Sequence, residues 1–487
     1  MAIQESGLKR ELGLADSTMI VMGSMIGSGI FIVSADIART VGGPGWLLVV
    51  WVITGLITIA AALSYGELAG MMPHAGGQYV YLREAYNPLF GFLYGWTLFL
   101  VIQTGTIAAV AVAFAKYTGV LLPWFGEKNI LFSAGGLRVS AAQILAIGVI
   151  ALLTWNNLRG LRQGKLVQNV FTWAKIAALA ALILVVLWLG RDPIALSVNL
   201  NGFWQAFWTR ASQGHIESIR VLTGWWLPAA IGVAMVGSLF SSDAWNNITF
   251  TAGEVSDPQR NIPLSLVLGT VAVTALYLLT NLAFLSALPA AGFPDGAGVL
   301  DRGIQFATND RVATAAVSFL GLKAEKLLAL LIMVSTFGCA NGLILAGARV
   351  YYAMAKDGVF FERVGTLNRN SVPGPALVLQ SVWAALLCLS GTYGDLLDYV
   401  IFAVLVFYVL TVIGLFILRR KKPDAPRPYR AWGYPYLPLF YIVTAAAICV
   451  DLLIFKPRYT WPGVAIVLAG IPAYFLWGRL KARAQAL

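Results

Sequence analysis

The sequence predicts an all-α membrane protein of twelve transmembrane helices, five plus five related by an inverted repeat and two appended, with the first and sixth helices broken at the midplane. Three observations carry this. Of the 487 residues, 59% are hydrophobic and 11% charged, too apolar for soluble domains of ordinary composition. Stretches without Asp, Glu, Lys or Arg cover 17–35, 46–66, 88–115, 139–158, 221–242, 261–294, 327–348, 370–394, 399–418, 431–450 and 459–478. Most reach the roughly 20 residues that cross hydrocarbon as a helix, and a twelfth span, about 166–189, does so while holding Lys175. Finally, Gly23-Ser24-Met25-Ile26-Gly27-Ser28-Gly29 is echoed 214 residues later by Gly237-Ser238-Leu239-Phe240-Ser241-Ser242-Asp243.

The echo marks two copies of one unit, about 14–190 and 222–418, within a single transmembrane domain completed by helices at about 431–479. Five spans per copy is an odd number, so the second copy is inverted. Inverted repeats hold ligand near the midplane where two broken helices meet. A helix in hydrocarbon satisfies its own backbone, so weakening it twice at matching places points to a ligand site. A lone small-xxx-small pattern would instead be read as helix packing. Short helices are expected in the connections at about 77–86, 200–218 and 298–310, and a basic, proline-bearing linker at 419–435.

Lys and Arg concentrate in the segments that lie inside if the amino terminus is inside, among them Lys9, Arg10, Arg159, Arg162 and the run Arg419 to Lys422. Both termini are therefore expected on the cytoplasmic face. The net charge of +12 then describes a basic surface beside anionic lipid, with no nucleic-acid module to accompany it. The first apolar stretch follows a polar head and lacks a cleavage pattern, so no signal peptide is expected. Cys339, Cys388 and Cys449 lie in apolar stretches without metal-ligand spacing, so buried thiols are expected rather than disulfides or zinc. His74 and His215 stand far apart, and no nucleophile, base or ligand cluster suggests an enzyme, a metal or a cofactor.

The runs GSMIGSGIF at 23–31, SYGELAGMMPHAGGQYVYLREAY at 64–86 and DAWNNITFTAGEVSDPQRNIP at 243–263 resemble the amino acid permeases of the amino acid-polyamine-organocation superfamily. Phe240 with Trp245-Asn246, and TWAKIAAL around Lys175, are most similar to the L-type amino acid transporters and their bacterial relatives. The resemblance covers about residues 8–420. It implies a LeuT-like fold, alternating access, and sodium-independent exchange of neutral amino acids across the cytoplasmic membrane. Proton-coupled uptake and uptake of a cationic amino acid or amine are the alternatives, and an amino acid sensor with a transporter fold is a remote one. Eukaryotic exchangers of this group join a single-span glycoprotein through an external cysteine. The connection after the third span has none, so a monomer without that subunit is expected.

A zwitterion needs donors for its carboxylate and acceptors for its ammonium. The second half of helix 1, from Ser28 through Gly29 and Ile30 to Phe31, offers unpaired N–H groups at a positive dipole end. Gly27 and Gly29 admit close approach, and Ser28 adds a hydroxyl. Free carbonyls are expected near Met25 and Ile26 and from Phe240 through Ser241 to Asp243; the resemblance matches Ile26, Phe240 and Asp243 to carbonyl donors.

Phe240 reads either as a core aromatic or, by the resemblance, as a gate closing over substrate from outside. Trp245 and Asn246 either line the pocket or pack helix 6. Lys175 lies roughly 14 Å into a ~30 Å core, too deep to snorkel, so a functional role is its default. The resemblance places it where sodium sits in sodium-coupled relatives; a proton-coupling role is the other reading. Lys116, near a helix end, snorkels. Asp243 departs from the family pattern and either caps the second half of helix 6 or pairs with a cationic group of the substrate. Glu67 belongs to the stretch that carries the resemblance, which implies that it ties the cytoplasmic helices together rather than touching substrate. Glu254, Asp257 and Arg260 form an expected inner ion-pair cluster after helix 6, which either acts in the gate or is a structural pairing.

Overall fold

A computed structural model describes residues 8–126, 129–134, 137–212, 215–389 and 393–485. The chain opens with α1 (Leu14–Met25), leaves helical geometry, makes a 3-10 turn at Gly29–Phe31 and continues as α2 (Ser34–Val41). Then come α3 (Pro44–Met71), the short α4 (Gln78–Ala85), and α5 (Pro88–Thr97), which joins α6 (Gln103–Leu121) through a π-helical turn at Leu98–Ile102. A hairpin of β1 (Ile130–Ala134) and β2 (Leu137–Ser140) leads to α7 (Ala141–Leu158), α8 (Leu161–Leu189) and α9 (Pro193–Asn201).

A second hairpin, β3 (Phe207–Ser212) with β4 (His215–Val221), precedes α10 (Trp226–Ser241). After another break come α11 (Asn247–Phe250), α12 (Pro258–Ala287), α13 (Val299–Arg302), α14 (Val312–Ala316), α15 (Leu322–Lys356), α16 (Gly374–Leu387), α17 (Tyr393–Lys421), α18 (Tyr436–Phe455) and α19 (Pro457–Gln485).

Among the described residues nine helical runs are long and apolar enough to cross a membrane, α5 and α6 counting as one; α10 and α16 are shorter apolar helices. Pro44, Pro88 and Pro258 each stand in the first turn of a helix, where the missing N–H has no intrahelical partner to lose.

The expected helix at 77–86 is α4. The one expected at 200–218 is corrected to the end of α9 followed by the β3–β4 hairpin, since Phe207, Trp208, Thr209, Ile216, Ile219 and Val221 favour extended backbone. That hairpin also takes Val221, the first residue of the apolar run 221–242, and α10 starts at Trp226. In 298–310 only the turn α13 and a 3-10 turn at Thr308–Asp310 form.

The two broken helices occupy the interior. α1 packs against α8, α12 and α15, and α10 against α2, α3, α17 and α18. Small residues bring the backbones close: a Cβ on Gly269 would fall 2.4 Å from Val21 Cγ1, the close approach that drives helix association where water is absent.

One end of the bundle is tied by ion pairs. Glu67 of α3 is buried and accepts from Arg419 Nη2 at 2.6 Å, Arg427 Nε at 3.2 Å and Ala431 N at 2.7 Å, joining α3 to the linker as expected. Glu84 of α4 accepts from Lys422 at 2.8 Å, and that hydrogen bond holds its carboxyl below the usual range.

Candidate functional site

The first break begins where Ile26 turns extended (φ −74°, ψ 93°), its own N–H still donating to Met22 O at 2.9 Å. Helical bonding resumes with Phe31 N to Ser28 O. Among the described residues, the N–H groups of Gly27, Gly29 and Ile30 meet no backbone acceptor. In the second break α10 ends at Ser241, Ala244 takes a left-handed conformation (φ 64°), and α11 starts at Asn247. A left-handed alanine costs about 1–2 kcal/mol, so the reversal is held by its surroundings.

The breaks meet. A Cβ built on Gly29 would fall 2.1 Å from Ser241 Oγ and 3.1 Å from Ser241 Cα. The hydroxyl of Tyr277, on α12, lies 3.0 Å from both Met25 O and Ser241 O, the carbonyls at the two helix ends. Gly29→Ala therefore wedges the breaks apart. It is expected to weaken substrate binding at least tenfold, about 1.4 kcal/mol, while the protein remains monodisperse; titration calorimetry checks this.

Lys175 is buried on α8, and its ammonium donates to Gly23 O at 2.6 Å and Ile26 O at 2.8 Å. Ser335 Oγ of α15 sits 3.3 Å from both Ile26 O and Gly27 O, and Cys339 Sγ is 3.0 Å from Ser24 O. The unwound end of α1 is thus held by a cation from α8 and by small polar groups from α15.

Several expectations are corrected. The carbonyls expected to be free are engaged: Met25 O and Ser241 O by Tyr277, Ile26 O by Lys175 and Ser335, and Phe240 O by Asp243 N at 3.2 Å. A buried carbonyl finds a partner inside the protein when water is out of reach. Asp243 does not cap the second half of helix 6. The cap residue of α11 is Asn246, with no side-chain cap bond, and the Asp243 carboxylate accepts from Tyr408 of α17 at 2.6 Å and faces the backbone N–H of Ala244. Glu254 pairs with neither Asp257 nor Arg260 but with Arg349 of α15. That pair is two-pronged at 2.8 and 3.0 Å with both side chains buried, and Glu254 O also receives the N–H groups of Glu11 and Leu12. Arg260 makes a backbone bond to Asp257 O.

Two small cavities, each with room for little more than a water molecule, lie beside the second break. The first is lined by Tyr94, Gln103, Thr106, Asn246, Phe250 and others; the second by Thr58, Leu239, Ser242, Trp245 and Tyr441 among others; Asp243 and Tyr408 border both. Asn246 also donates to Gln78 Oε1 at 3.0 Å, and Gln78 to Thr411 Oγ1 at 3.0 Å, linking the break to α4 and α17. Trp245 stacks edge-on to Tyr65 at 4.8 Å and tilts against Tyr408 at 5.3 Å. Phe240 is buried and lines neither cavity, and Ile26, Gly27, Ser28, Gly29 and Ile30 line neither.

Sequence reasoning missed Tyr277, Ser335, Tyr408 and Arg349. An isolated charge inside the apolar face of a long helix was a usable signal for Arg349; a lone tyrosine or serine in a membrane helix carries none.

A family model described as "Amino acid permease" matches residues 12–471. The chain is 30% identical over 472 residues to the human large neutral amino acids transporter small subunit 2, covering 96% of this chain and 80% of that one. It is 29% identical over 481 residues to the mouse Asc-type amino acid transporter 1, with 98% and 82% covered. To the serine/threonine exchanger SteT of Bacillus subtilis (strain 168) it is 28% identical over 485 residues, with 99% and 100% covered.

Proposed function

Because the chain belongs to the amino acid permease family, a family of multi-pass membrane transporters and not of enzymes, we propose that it exchanges amino acids across the cytoplasmic membrane by alternating access, without sodium. The observation that carries the reading is the meeting of the two breaks at Tyr277. The N–H groups of Gly27, Gly29 and Ile30, which meet no backbone acceptor among the described residues, suit a carboxylate, with the Ser28 hydroxyl beside them. Tyr277 brings a single hydroxyl hydrogen to two carbonyls, Met25 O and Ser241 O, which leaves acceptor capacity for an ammonium at the point where the helix ends converge. Neutral amino acids carry those two groups and are the core substrates. Phe240 acts as the outer gate. Ser241, Asp243 and Asn246 flank the bound substrate.

Sodium is dispensable because Lys175 already supplies a positive charge to Gly23 O and Ile26 O. A sodium ion bound to those carbonyls would face a like charge at contact distance. Ten of the twelve spans form two inverted five-helix repeats and two are appended, with both termini cytoplasmic, and rocking of one part against the other exposes the breaks to each side in turn. The chain works without a glycoprotein subunit, as its external connection after α6 has no cysteine.

Proteoliposomes test this directly. Uptake of labelled serine or leucine is expected to require unlabelled amino acid inside, to persist when sodium is replaced by potassium, and to ignore a pH gradient. Uptake into empty vesicles driven by inward protons would overturn exchange in favour of proton coupling through the buried Lys175.

A further inference from the structure

Resting on the reading of the chain as an alternating-access exchanger, we infer that Asp451 is a proton-binding site in the seam between α18 and α10, and that its proton sets how readily the outer half of helix 6 opens. α18 is an apolar span whose single charged side chain is Asp451. Its Oδ2 is enclosed without a hydrogen-bond partner, and among the described residues no ion pair includes it. The carboxyl lies directly on α10: a Cβ built on Gly232 would fall 2.3 Å from Oδ2 and 3.0 Å from Cγ. Beside it the seam is closed by Trp226 and Phe455, edge to face with ring centroids 6.0 Å apart.

The helices packed on α18 bring no compensating charge. α10 carries no titratable side chain. α3 carries Tyr65 and Glu67, and Glu67 is taken by Arg419 and Arg427. On α17, Tyr408 is bonded to Asp243, and the first turns hold Tyr393, Asp395, Asp398 and Tyr399, none of them a cation. α18 itself adds Tyr436, Tyr441 and Cys449, while Lys456 and Arg458, where α19 begins, make no described ion pair with Asp451. An ionised carboxylate without donor or cation is costly inside a membrane. The cost is greater one turn from the end of α18, at the negative end of its dipole. Against Gly232 the group is therefore neutral, and once ionised it favours the arrangement in which α10 has swung off α18 and water reaches it. The proton is thus bound with the outer side closed, as here with Ile26, Ser28 and Phe240 buried, and its loss as pH rises shifts the population toward the open side. It enters and leaves on that one side, so it changes the affinity for outside substrate without driving net uptake.

Dicyclohexylcarbodiimide, an apolar reagent that modifies carboxyls holding a proton away from water, probes the site directly. On the purified full-length protein at about pH 5.5, peptide mass spectrometry is expected to find the adduct on Asp451, and to find none there in Gly232→Ala, whose methyl group displaces the carboxyl from the seam. In proteoliposomes with equal pH on both sides, the KM for labelled leucine is expected to fall at least about threefold between about pH 5.5 and about pH 8, with little change in the maximal rate. In Asp451→Asn, which stays neutral, KM is expected to keep its low-pH value throughout. An unmodified Asp451 in the wild type overturns the inference whether or not either variant folds, as does a wild-type KM profile that matches that of the Asn variant. If neither leucine nor serine exchanges at any pH, the reading of the chain as an exchanger falls, and the carbodiimide adduct still decides whether Asp451 holds a proton.

Discussion

Exchange by Lys175→Ala is expected to fall by a hundredfold or more. The ammonium makes two short hydrogen bonds, to Gly23 O and Ile26 O, and hydrogen bonds to charged groups contribute about 1.5–3 kcal/mol each, on the order of tenfold or more apiece. The loss falls on the end of α1, where the helix has given up its own ladder. Without Lys175, Gly23 O loses its side-chain donor, Ile26 O keeps, among the described residues, only Ser335 at 3.3 Å, and the first break no longer has one geometry. Lys175→Met, which restores volume but not charge, is expected to fail as well, separating the donor from the packing. Labelled exchange in proteoliposomes measures both, and an unchanged rate in either variant removes the lysine from the mechanism.

The second large effect is on stability. Arg349→Met is expected to cost about 3–5 kcal/mol, because removing one partner of a buried pair strands the other charge. Glu254 then lies buried beside an apolar side chain, while its carbonyl still anchors Glu11 and Leu12. The disturbance therefore reaches the amino-terminal segment, where Leu12 bridges Val255 and Lys165 binds Asp16 at 3.0 Å. Thermal unfolding in detergent is expected to show a clear drop in melting temperature. The double variant Glu254→Gln with Arg349→Met is expected to recover much of it, since no charge is left uncompensated. A single variant as stable as wild type would show that water reaches Glu254 and that the pair is not the tie described above.

Glu67 was legible as a tie between helices because it belongs to the stretch at 64–86 that resembles the permease motif. Lys175 was legible because a lone charge nine residues deep has no other reading. Asp243 was visible as an anomaly but not as a partner of Tyr408, which lies 165 residues away. The partner of Glu254 was not legible for the same reason: neighbours in sequence need not be neighbours in space, and Arg349, 95 residues on, is the residue that meets it. The hairpin at β3 and β4 was missed because its residues lie between apolar stretches, where polarity suggested a short helix and alternation went unweighed.

The sequence by itself determined the membrane class, the family, the two places where helices break and the deep cation Lys175. Each of these is a property of contiguous residues: hydropathy, glycine content and isolated charge act locally on a backbone that hydrocarbon forces to satisfy itself. Only the tertiary structure decided what the breaks face. Tyr277 spanning both helix ends, Lys175 closing on two carbonyls of α1, and Tyr408 meeting Asp243 are contacts between residues brought together by packing, and a buried polar group takes whichever partner the fold places within reach.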